Sequence, residues 1–162
     1  VNNAGIIRRA DAVDFTEADW DAVMDVNLKA LFFTTQAFAR ELLAKGMPGK
    51  VVNIASLLSF QGGIRVPSYT AAKHGVLGLT RSAALEFATR GVRVNAVGPG
   101  YVDTPAMGKL PASARAQMAA SHPMGRMATR EEVAKTVAFL LSADSSFTTG
   151  AFYSIDGGYT AR

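Results

Sequence analysis

The clearest hydrophobic pattern in the chain is a long helical repeat over residues 16–45. Bulky apolar residues recur there at three- and four-residue steps, which places them on one face of an α-helix. They are Trp20, Val23, Met24, Leu28, Leu31 and Phe32. Thr16 followed three residues later by Asp19 resembles a capping box with Asp in place of the usual Glu. Because Gly46 and Pro48 then act as stop signals, we predict one long amphipathic helix.

Short apolar runs alternate with further helical segments along the rest of the chain. The predicted strands are rich in Val or other apolar residues and cover 50–56, 92–97 and 152–155. The predicted helices cover 68–90, 111–120 and 130–142. Strands that alternate with helices of this length require parallel crossover connections. We therefore predict an α/β fold, a parallel sheet with helices on both faces.

Composition and charge narrow the class of protein. The 162 residues are 49% hydrophobic and 19% charged, which fits one domain with a substantial core and argues against disorder. The absence of cysteine excludes disulfides and fits a reducing, cytoplasmic compartment. The net charge of +4 is scattered, so no nucleic-acid surface is predicted. No apolar run approaches the ~20 residues that cross a bilayer, and no signal peptide is visible. His74 and His122 lack partners at ligand spacing, so no metal site is predicted.

The residues with the most chemical potential lie around the second long helix. Tyr69 and Lys73 are four residues apart in an Ala-rich helical stretch, so both side chains project from one face. A neighbouring ammonium favours the phenolate, and we expect Lys73 to lower the pKa of Tyr69 from about 10 towards neutrality. Such a tyrosine can give or take a proton at a reacting oxygen. Ser56 ends the first predicted strand, where it can meet this pair.

Each of these residues also has a simpler interpretation. A Tyr-x-x-x-Lys pair by itself is common on helix surfaces, and Ser56 alone could cap a turn. A Ser–Lys hydrolase built on Ser56 and Lys73 is a further alternative, but it needs an exposed nucleophile and an oxyanion hole. The chain lacks the G-x-S-x-G turn of many hydrolases. The surrounding segments therefore decide between these interpretations.

Four segments, in one order along the chain, resemble the short-chain dehydrogenase/reductase family. They are Asn2-Asn3-Ala4-Gly5, Asp25-Val26-Asn27, Asn53-Ile54-Ala55-Ser56 with Tyr69 and Lys73, and Asn95-Ala96-Val97-Gly98-Pro99-Gly100 with Thr104. The resemblance implies the C-terminal part of a Rossmann-like doubly wound parallel sheet. The family's Gly-rich loop, which binds the dinucleotide pyrophosphate, does not occur here. We therefore expect residues 1–162 to form a single incomplete domain without the first strands.

The resemblance also implies a function, hydride transfer between a nicotinamide cofactor and a secondary alcohol or ketone. Tyr69 would be the general acid/base, Ser56 would orient the substrate oxygen, and Lys73 would hold the nicotinamide ribose. Asn27 would mark a helix break whose backbone holds a water of a proton relay. Cofactor contacts are implied for Asn3, Ala4, Gly5, Tyr69, Lys73, Pro99, Gly100, Val102 and Thr104. The cofactor would be NAD or NADP, with NAD favoured.

The loop between Ser56 and Tyr69 resembles a narrower group, the NAD-dependent 2-deoxy-D-gluconate 3-dehydrogenases, also described as 2-dehydro-3-deoxy-D-gluconate 5-dehydrogenases. Arg65 in this loop would suit a sugar-acid carboxylate, whereas Arg8 and Arg9 are expected to be solvated. Residues 105–127 depart from that group, which leaves a reductase of 3-oxoacyl thioesters as an alternative.

The family also implies that the two long helices pack against a second subunit, as in a homo-oligomer such as a homotetramer. A catalytically silent fragment that keeps only this self-association surface is therefore the remaining alternative.

Overall fold

A computed structural model describes residues 1–161 and has a parallel sheet at its centre. The strands are β1 (Gly49–Ile54), β2 (Val92–Pro99) and β3 (Phe152–Ile155), in the order β1-β2-β3. β1 pairs with β2 in the register that sets Ile54 beside Val97, and β2 pairs with β3 in the register that sets Pro99 beside Ile155. Because the strands run parallel, their carboxyl ends share one edge of the sheet. The predicted parallel sheet is confirmed.

The N-terminal residues continue this sheet on the far side of β1. Asn2 forms a single parallel bridge with Asn53. Its N–H donates to the Val52 carbonyl at 2.9 Å, and its carbonyl accepts from the Ile54 N–H at 3.0 Å. The residues that follow Asn2 therefore leave the sheet at the same edge as the residues that follow β1.

Within residues 1–161, five α-helices surround the sheet. They are α1 (Glu17–Met24), α2 (Ala30–Ala44), α3 (Pro67–Phe87), α4 (Ala112–Ala120) and α5 (Arg130–Leu141). The helix predicted over residues 16–45 is present, and Thr16 caps it by accepting the Asp19 N–H at 3.2 Å. However, a π-helical segment, Asp25–Lys29, separates α1 from α2. None of the helices within residues 1–161 is long and apolar enough to span a membrane.

The helices cover both faces of the sheet, as predicted. On one face, Val51 and Val94 pack with Ala84 of α3 and with side chains of α2. On the other face, Val52 and Val97 pack with Leu140 of α5. Adjacent residues of β1 thus pack into hydrophobic clusters on opposite faces of the sheet, as expected for a strand buried on both sides. Full burial of each such side chain contributes roughly 1.5–3 kcal/mol.

The predicted element boundaries differ from the observed ones at a few places. β1 ends at Ile54, before Ser56, and β2 continues to Pro99. The helix predicted over 68–90 is α3 followed by a short 3₁₀ turn over Ala88–Arg90. Gly91 then reverses the chain with φ of 77°, a left-handed conformation that favours glycine.

Candidate active site

Ser56 lies just beyond β1 and begins a 3₁₀ turn over Leu57–Ser59. Its hydroxyl oxygen accepts the Leu58 N–H at 3.2 Å, so it does cap a turn, as the simpler interpretation expects. The Ser56 hydroxyl also lies close enough to Tyr69 to favour the phenolate. The cap and the proton-handling role are therefore compatible, because a hydroxyl can accept one bond and donate another.

Tyr69 and Lys73 project from the first turns of α3 towards this serine. The Lys73 Nζ lies 5.4 Å from the centroid of the Tyr69 ring and donates to the Ile54 carbonyl at 2.7 Å. Lys73 is only 4% exposed. A phenol, an ammonium and a hydroxyl thus meet at the carboxyl edge of the sheet. The structure brings together the three groups that sequence reasoning placed in one site.

Burial dominates the electrostatics of this pair. It raises the pKa of the Tyr69 phenol above 10.0, although the hydrogen bond with Ser56 and the positive charge of Arg9 act in the opposite direction. Burial also lowers the pKa of Lys73 from 10.5 to about 8. The expectation that Lys73 brings the pKa of Tyr69 towards neutrality is therefore wrong for this structure. Removing water penalises both charged forms, and sequence spacing does not show the depth of burial.

Asn27 lies within the π-helical segment and is almost fully buried. Its Nδ2 donates to the Ile6 carbonyl at 2.7 Å, and its Oδ1 accepts the Ile6 N–H at 2.9 Å. A Cβ on Gly5 would come within 2.7 Å of that Oδ1, so the neighbouring position requires glycine. The expected helix break is confirmed. Both polar atoms of the Asn27 side chain are used in these bonds to Ile6. The predicted relay, in which the backbone at the helix break holds a water, stays a prediction.

Three arginines lie near this site, and two of them form ion pairs. The Arg8 Nε lies 3.2 Å from Asp19 Oδ1, and the Arg65 Nε lies 2.9 Å from Asp11 Oδ1. The Ala10 N–H also donates to the Arg65 carbonyl at 3.2 Å, which ties the segment after Ile6 to the loop before α3. Arg65, which was predicted to bind substrate, is thus paired with Asp11 in this structure.

The influence of Arg9 on Tyr69 is a feature that the sequence did not predict. Arg9 is exposed, and its charge reaches Tyr69 closely enough to favour the phenolate. The signal was topological rather than local: Asn2 lies beside the end of β1, so the residues that follow it emerge at the edge occupied by Ser56. Arg9 is therefore solvated, as expected, and it also contributes a positive charge to the surroundings of the phenol.

The residues predicted to contact a cofactor lie at or beyond the carboxyl ends of the strands. Asn3, Ala4 and Gly5 are exposed and directly follow the Asn2 bridge. Pro99 ends β2, and the Gly100 N–H donates to the Ile155 carbonyl at 3.1 Å.

The rest of the cofactor set lies in the loop after β2. Val102 pairs with Ala128 in an isolated bridge, and Thr104 accepts the Met107 N–H through its carbonyl at 2.9 Å. Dinucleotides bind parallel α/β sheets outside the carboxyl ends of the strands. The position of these residues therefore fits such a cofactor.

The parallel sheet and the polar cluster at its carboxyl edge define a Rossmann-like α/β protein. The sequence family described as enoyl-(acyl carrier protein) reductase matches residues 1–160. The chain belongs to the short-chain dehydrogenase/reductase family.

Curated relatives and a solved structure match the chain from end to end. It is 48% identical over 164 residues to the 2-dehydro-3-deoxy-D-gluconate 5-dehydrogenase of Escherichia coli (strain K12), covering 100% of this chain and 65% of that protein. It is 45% identical over 158 residues to the 3-oxoacyl-(acyl-carrier-protein) reductase of Thermotoga maritima, covering 98% and 64%.

The solved structure is a crystal structure from Agrobacterium tumefaciens, provisionally described as a 2-deoxy-D-gluconate 3-dehydrogenase with bound NADP. It matches with a TM-score of 0.96 and 61% identity, covering 99% of this chain and 66% of that one. The chain therefore spans about two thirds of the length of these relatives.

Proposed function

We propose that this chain carries the catalytic centre of an NAD(P)-dependent oxidoreductase that interconverts a secondary alcohol and a ketone. The observation that carries the proposal is that the Ser56 hydroxyl and the Tyr69 phenol meet beside the buried Lys73 ammonium, which lies 5.4 Å from the Tyr69 ring centroid and donates to the Ile54 carbonyl. Two hydroxyls and a cation at the carboxyl edge of a parallel sheet can bind one carbonyl oxygen and exchange a proton with it.

Each residue has a distinct part in that chemistry. The raised pKa keeps Tyr69 protonated at neutral pH, so its hydroxyl can donate a proton to the carbonyl oxygen as that oxygen becomes an alcohol. Ser56 donates a hydrogen bond to the same oxygen and orients it. The positive charge of Lys73 stabilises the phenolate that remains. In the oxidation direction the same groups act in reverse, with Tyr69 as the base.

Proton return to Tyr69 requires a path to solvent. We propose that the Lys73 ammonium gives one proton to the Tyr69 phenolate and then regains a proton from solvent through the backbone opened by the π-helical segment, where Asn27 lies. The Asn27 side chain holds that segment to Ile6, which fixes its geometry. This is the relay role that the family resemblance implies.

The nicotinamide cofactor supplies or accepts the hydride. Asn3, Ala4 and Gly5 would contact one part of it, while Lys73 would hold the nicotinamide ribose. Pro99, Gly100, Val102 and Thr104 would contact the nicotinamide end. The solved relative from Agrobacterium tumefaciens holds NADP, whereas the resemblance to the narrower group favours NAD. A titration with NADH and NADPH side by side decides between them.

We propose a sugar acid as the substrate. The exposed Arg9 carries a positive charge that favours the Tyr69 phenolate, and a guanidinium can bind a carboxylate through two parallel hydrogen bonds. The relative from Escherichia coli acts on a deoxygluconate by its name. Arg65 would contribute to this site only if its ion pair with Asp11 opened. A 3-oxoacyl thioester reductase is the second candidate, favoured by the Thermotoga maritima relative.

The chain would form a single incomplete domain whose long helices also bind a second copy. Phe32, Phe33 and Phe38 of α2 are 40%, 53% and 45% exposed, and Leu85 of α3 is 83% exposed. A groove of about 360 Å³ runs between the two helices. Exposed apolar side chains on both helices support a protein interface there, as proposed for a homo-oligomer.

The decisive test replaces Tyr69 with Phe in the full-length native protein. We expect turnover of the keto sugar acid to fall about 10²–10⁴-fold, because the proton donor is lost while the ring remains. Near-normal turnover would reject the assignment. Titration of NADH against the 162-residue chain alone tests the silent-fragment alternative. An absence of NADH binding would support that alternative.

A further inference from the structure

The hydroxyl of Ser59 joins the two segments that carry the candidate catalytic residues. This hydroxyl donates to the Lys73 carbonyl at 2.8 Å, and its oxygen accepts the Ser56 N–H at 3.3 Å. The Ser59 N–H donates in turn to the Ser56 carbonyl at 2.9 Å. Ser59 is 2% exposed, so water does not compete for these bonds. One buried side chain therefore bonds the main chain of both residues.

These bonds fix α3 against the end of β1 at two points. The Lys73 ammonium donates to the Ile54 carbonyl, and the Lys73 carbonyl accepts from Ser59. The two contacts lie on opposite ends of the same residue, so they restrain both translation and rotation of this turn of the helix. Tyr69 is one helical turn away and moves with it.

Ser59 differs from Ser56 in its hydrogen-bonding capacity. The single proton of its hydroxyl is used on Lys73, and its oxygen accepts from Ser56. Ser59 thus has no proton to offer a substrate, and its burial keeps substrate away. Its bonds act on the position of other groups and not on the reacting atoms.

We propose that Ser59 is a positioning residue that sets the separation between the Ser56 hydroxyl and the Tyr69–Lys73 face of α3. The inference rests on the proposed function, since it concerns the same site. A misplacement of about 1 Å at a reacting centre can cost roughly 10²-fold in rate. Loss of this hydroxyl should therefore change the chemical step more than the binding of cofactor or substrate.

The experiment replaces Ser59 with Ala in the full-length native protein. We expect kcat to fall by about tenfold to a hundredfold, while the KM values for cofactor and substrate stay within about threefold. Unchanged kcat, or a loss confined to KM, would overturn the proposal. If the Ala variant does not fold, Ser59→Cys preserves the volume with a weaker donor and should give an intermediate kcat.

The matched control is Ser145→Ala. Ser145 is 1% exposed, and its hydroxyl donates to the carbonyls of Phe139 and Leu140 at 2.9 and 3.0 Å, near the end of α5. This variant loses a buried serine hydroxyl of the same kind away from Ser56. We expect its kcat to stay within about twofold of the unchanged protein. Equal losses in the two variants would show a general effect of lost stability and would overturn the proposal.

A second readout does not depend on turnover. The rate at which an amine-acylating reagent modifies Lys73, followed by mass spectrometry across pH, reports the pKa of that amine, which is about 8. In Ser59→Ala or Ser59→Cys we expect this pKa to rise towards its ordinary value as the loosened helix admits water. An unshifted pKa in the variant would contradict the proposal. Should the unchanged protein transfer no hydride, the proposed function would fail while this titration still tested Ser59.

Discussion

Two polar clusters lie at the same edge of the sheet. The charged forms of their side chains are disfavoured in the first cluster and favoured in the second. The first cluster is Ser56, Tyr69 and Lys73, beyond β1. The second lies beyond β2 and β3 and comprises His122, Asp156 and the pair Arg126–Glu132. In the first cluster, burial disfavours the charged forms of both Tyr69 and Lys73.

In the second cluster, the charged forms are stabilised by partners. Burial acts to raise the pKa of the Asp156 carboxyl, but hydrogen bonds from Thr160 and Gly158 outweigh it and lower the pKa. The hydrogen bonds from Arg126 and the Thr129 N–H lower the pKa of Glu132 to about 2.

His122 in the second cluster also has its hydrogen-bonding capacity filled. Its Nε2 accepts the Tyr101 N–H at 3.2 Å, and its Nδ1 lies 2.8 Å from the Met118 carbonyl oxygen, so both ring nitrogens are occupied. Groups whose bonding capacity is filled are suited to holding a fold together. Groups whose charged forms are disfavoured by burial are suited to proton transfer, which is why perturbed pKa values concentrate at reactive sites.

The largest effect that would sharpen this comparison concerns the charge of Arg9. Replacing Arg9 with Leu should lower kcat/KM for a sugar acid by about tenfold to a hundredfold, because a hydrogen bond between two charged groups is lost. The rate with a neutral ketone should change much less. Steady-state kinetics on both substrates measures the difference.

Arg8→Leu is the matched control, since Arg8 is paired with Asp19. It should leave the preference for the acid intact. Equal effects of Arg9→Leu on the charged and neutral substrates would remove the argument for a carboxylate site.

A smaller effect is expected in the pH dependence of stability. The pKa of Lys73 is about 8 in the folded state and 10.5 when exposed, so the unfolded chain binds more protons between these values. The free energy of unfolding should therefore rise with pH from about 8 to 10.5, by up to ~1.4 kcal/mol per unit for this group. Below pH 8 both states carry the charge and the contribution is flat. Above pH 10 the raised pKa of Tyr69 opposes the rise.

Denaturant unfolding of the full-length native protein at a series of pH values measures this slope. Lys73→Met should lack the rise, whereas Glu132→Gln in the second cluster should retain it. A slope that persists in Lys73→Met would show that the lowered pKa of Lys73 is not the cause of the pH dependence of the free energy of unfolding.

The smallest effect concerns the scaffold cluster. Thr129 caps α5 by accepting the Glu132 N–H at 3.2 Å, while Glu132 accepts the Thr129 N–H at 2.8 Å. Thr129→Ala should lower the free energy of unfolding by about 0.5–2 kcal/mol without changing turnover at a temperature where the protein is folded. Thr129→Ser should restore the cap. A marked loss of turnover in folded Thr129→Ala would place the second cluster in the chemistry.

The elements that the sequence predicts well are those controlled by local interactions. The helical repeat over residues 16–45 and its Thr16 cap depend on neighbours three or four positions away, and both are present. Periodicity alone predicts a continuous helix there. The π-helical break accompanies the bonds between Asn27 and Ile6, which are 21 positions apart. The family resemblance, not the period, supplied that feature.

The parts of the site that the sequence did not predict depend on distant contacts. Spacing places Tyr69 beside Lys73, but the direction of the phenol's pKa is set by how deeply the folded chain buries it. Arg65 stands in the right loop, yet Asp11, far away in the sequence, pairs with it. Arg9 reaches Tyr69 through the topology of the sheet edge. Charge partners that are distant in the sequence can therefore be identified only from the folded structure, whereas Ser56, Tyr69 and Lys73 could be selected from the sequence.

The most direct test of the central claim is a crystal structure of the full-length native protein with a nicotinamide dinucleotide and a ketone substrate analogue. We predict that Tyr69 Oη and Ser56 Oγ both lie within about 2.6–3.2 Å of the same carbonyl oxygen. A carbonyl oxygen bound away from both hydroxyls would contradict this claim.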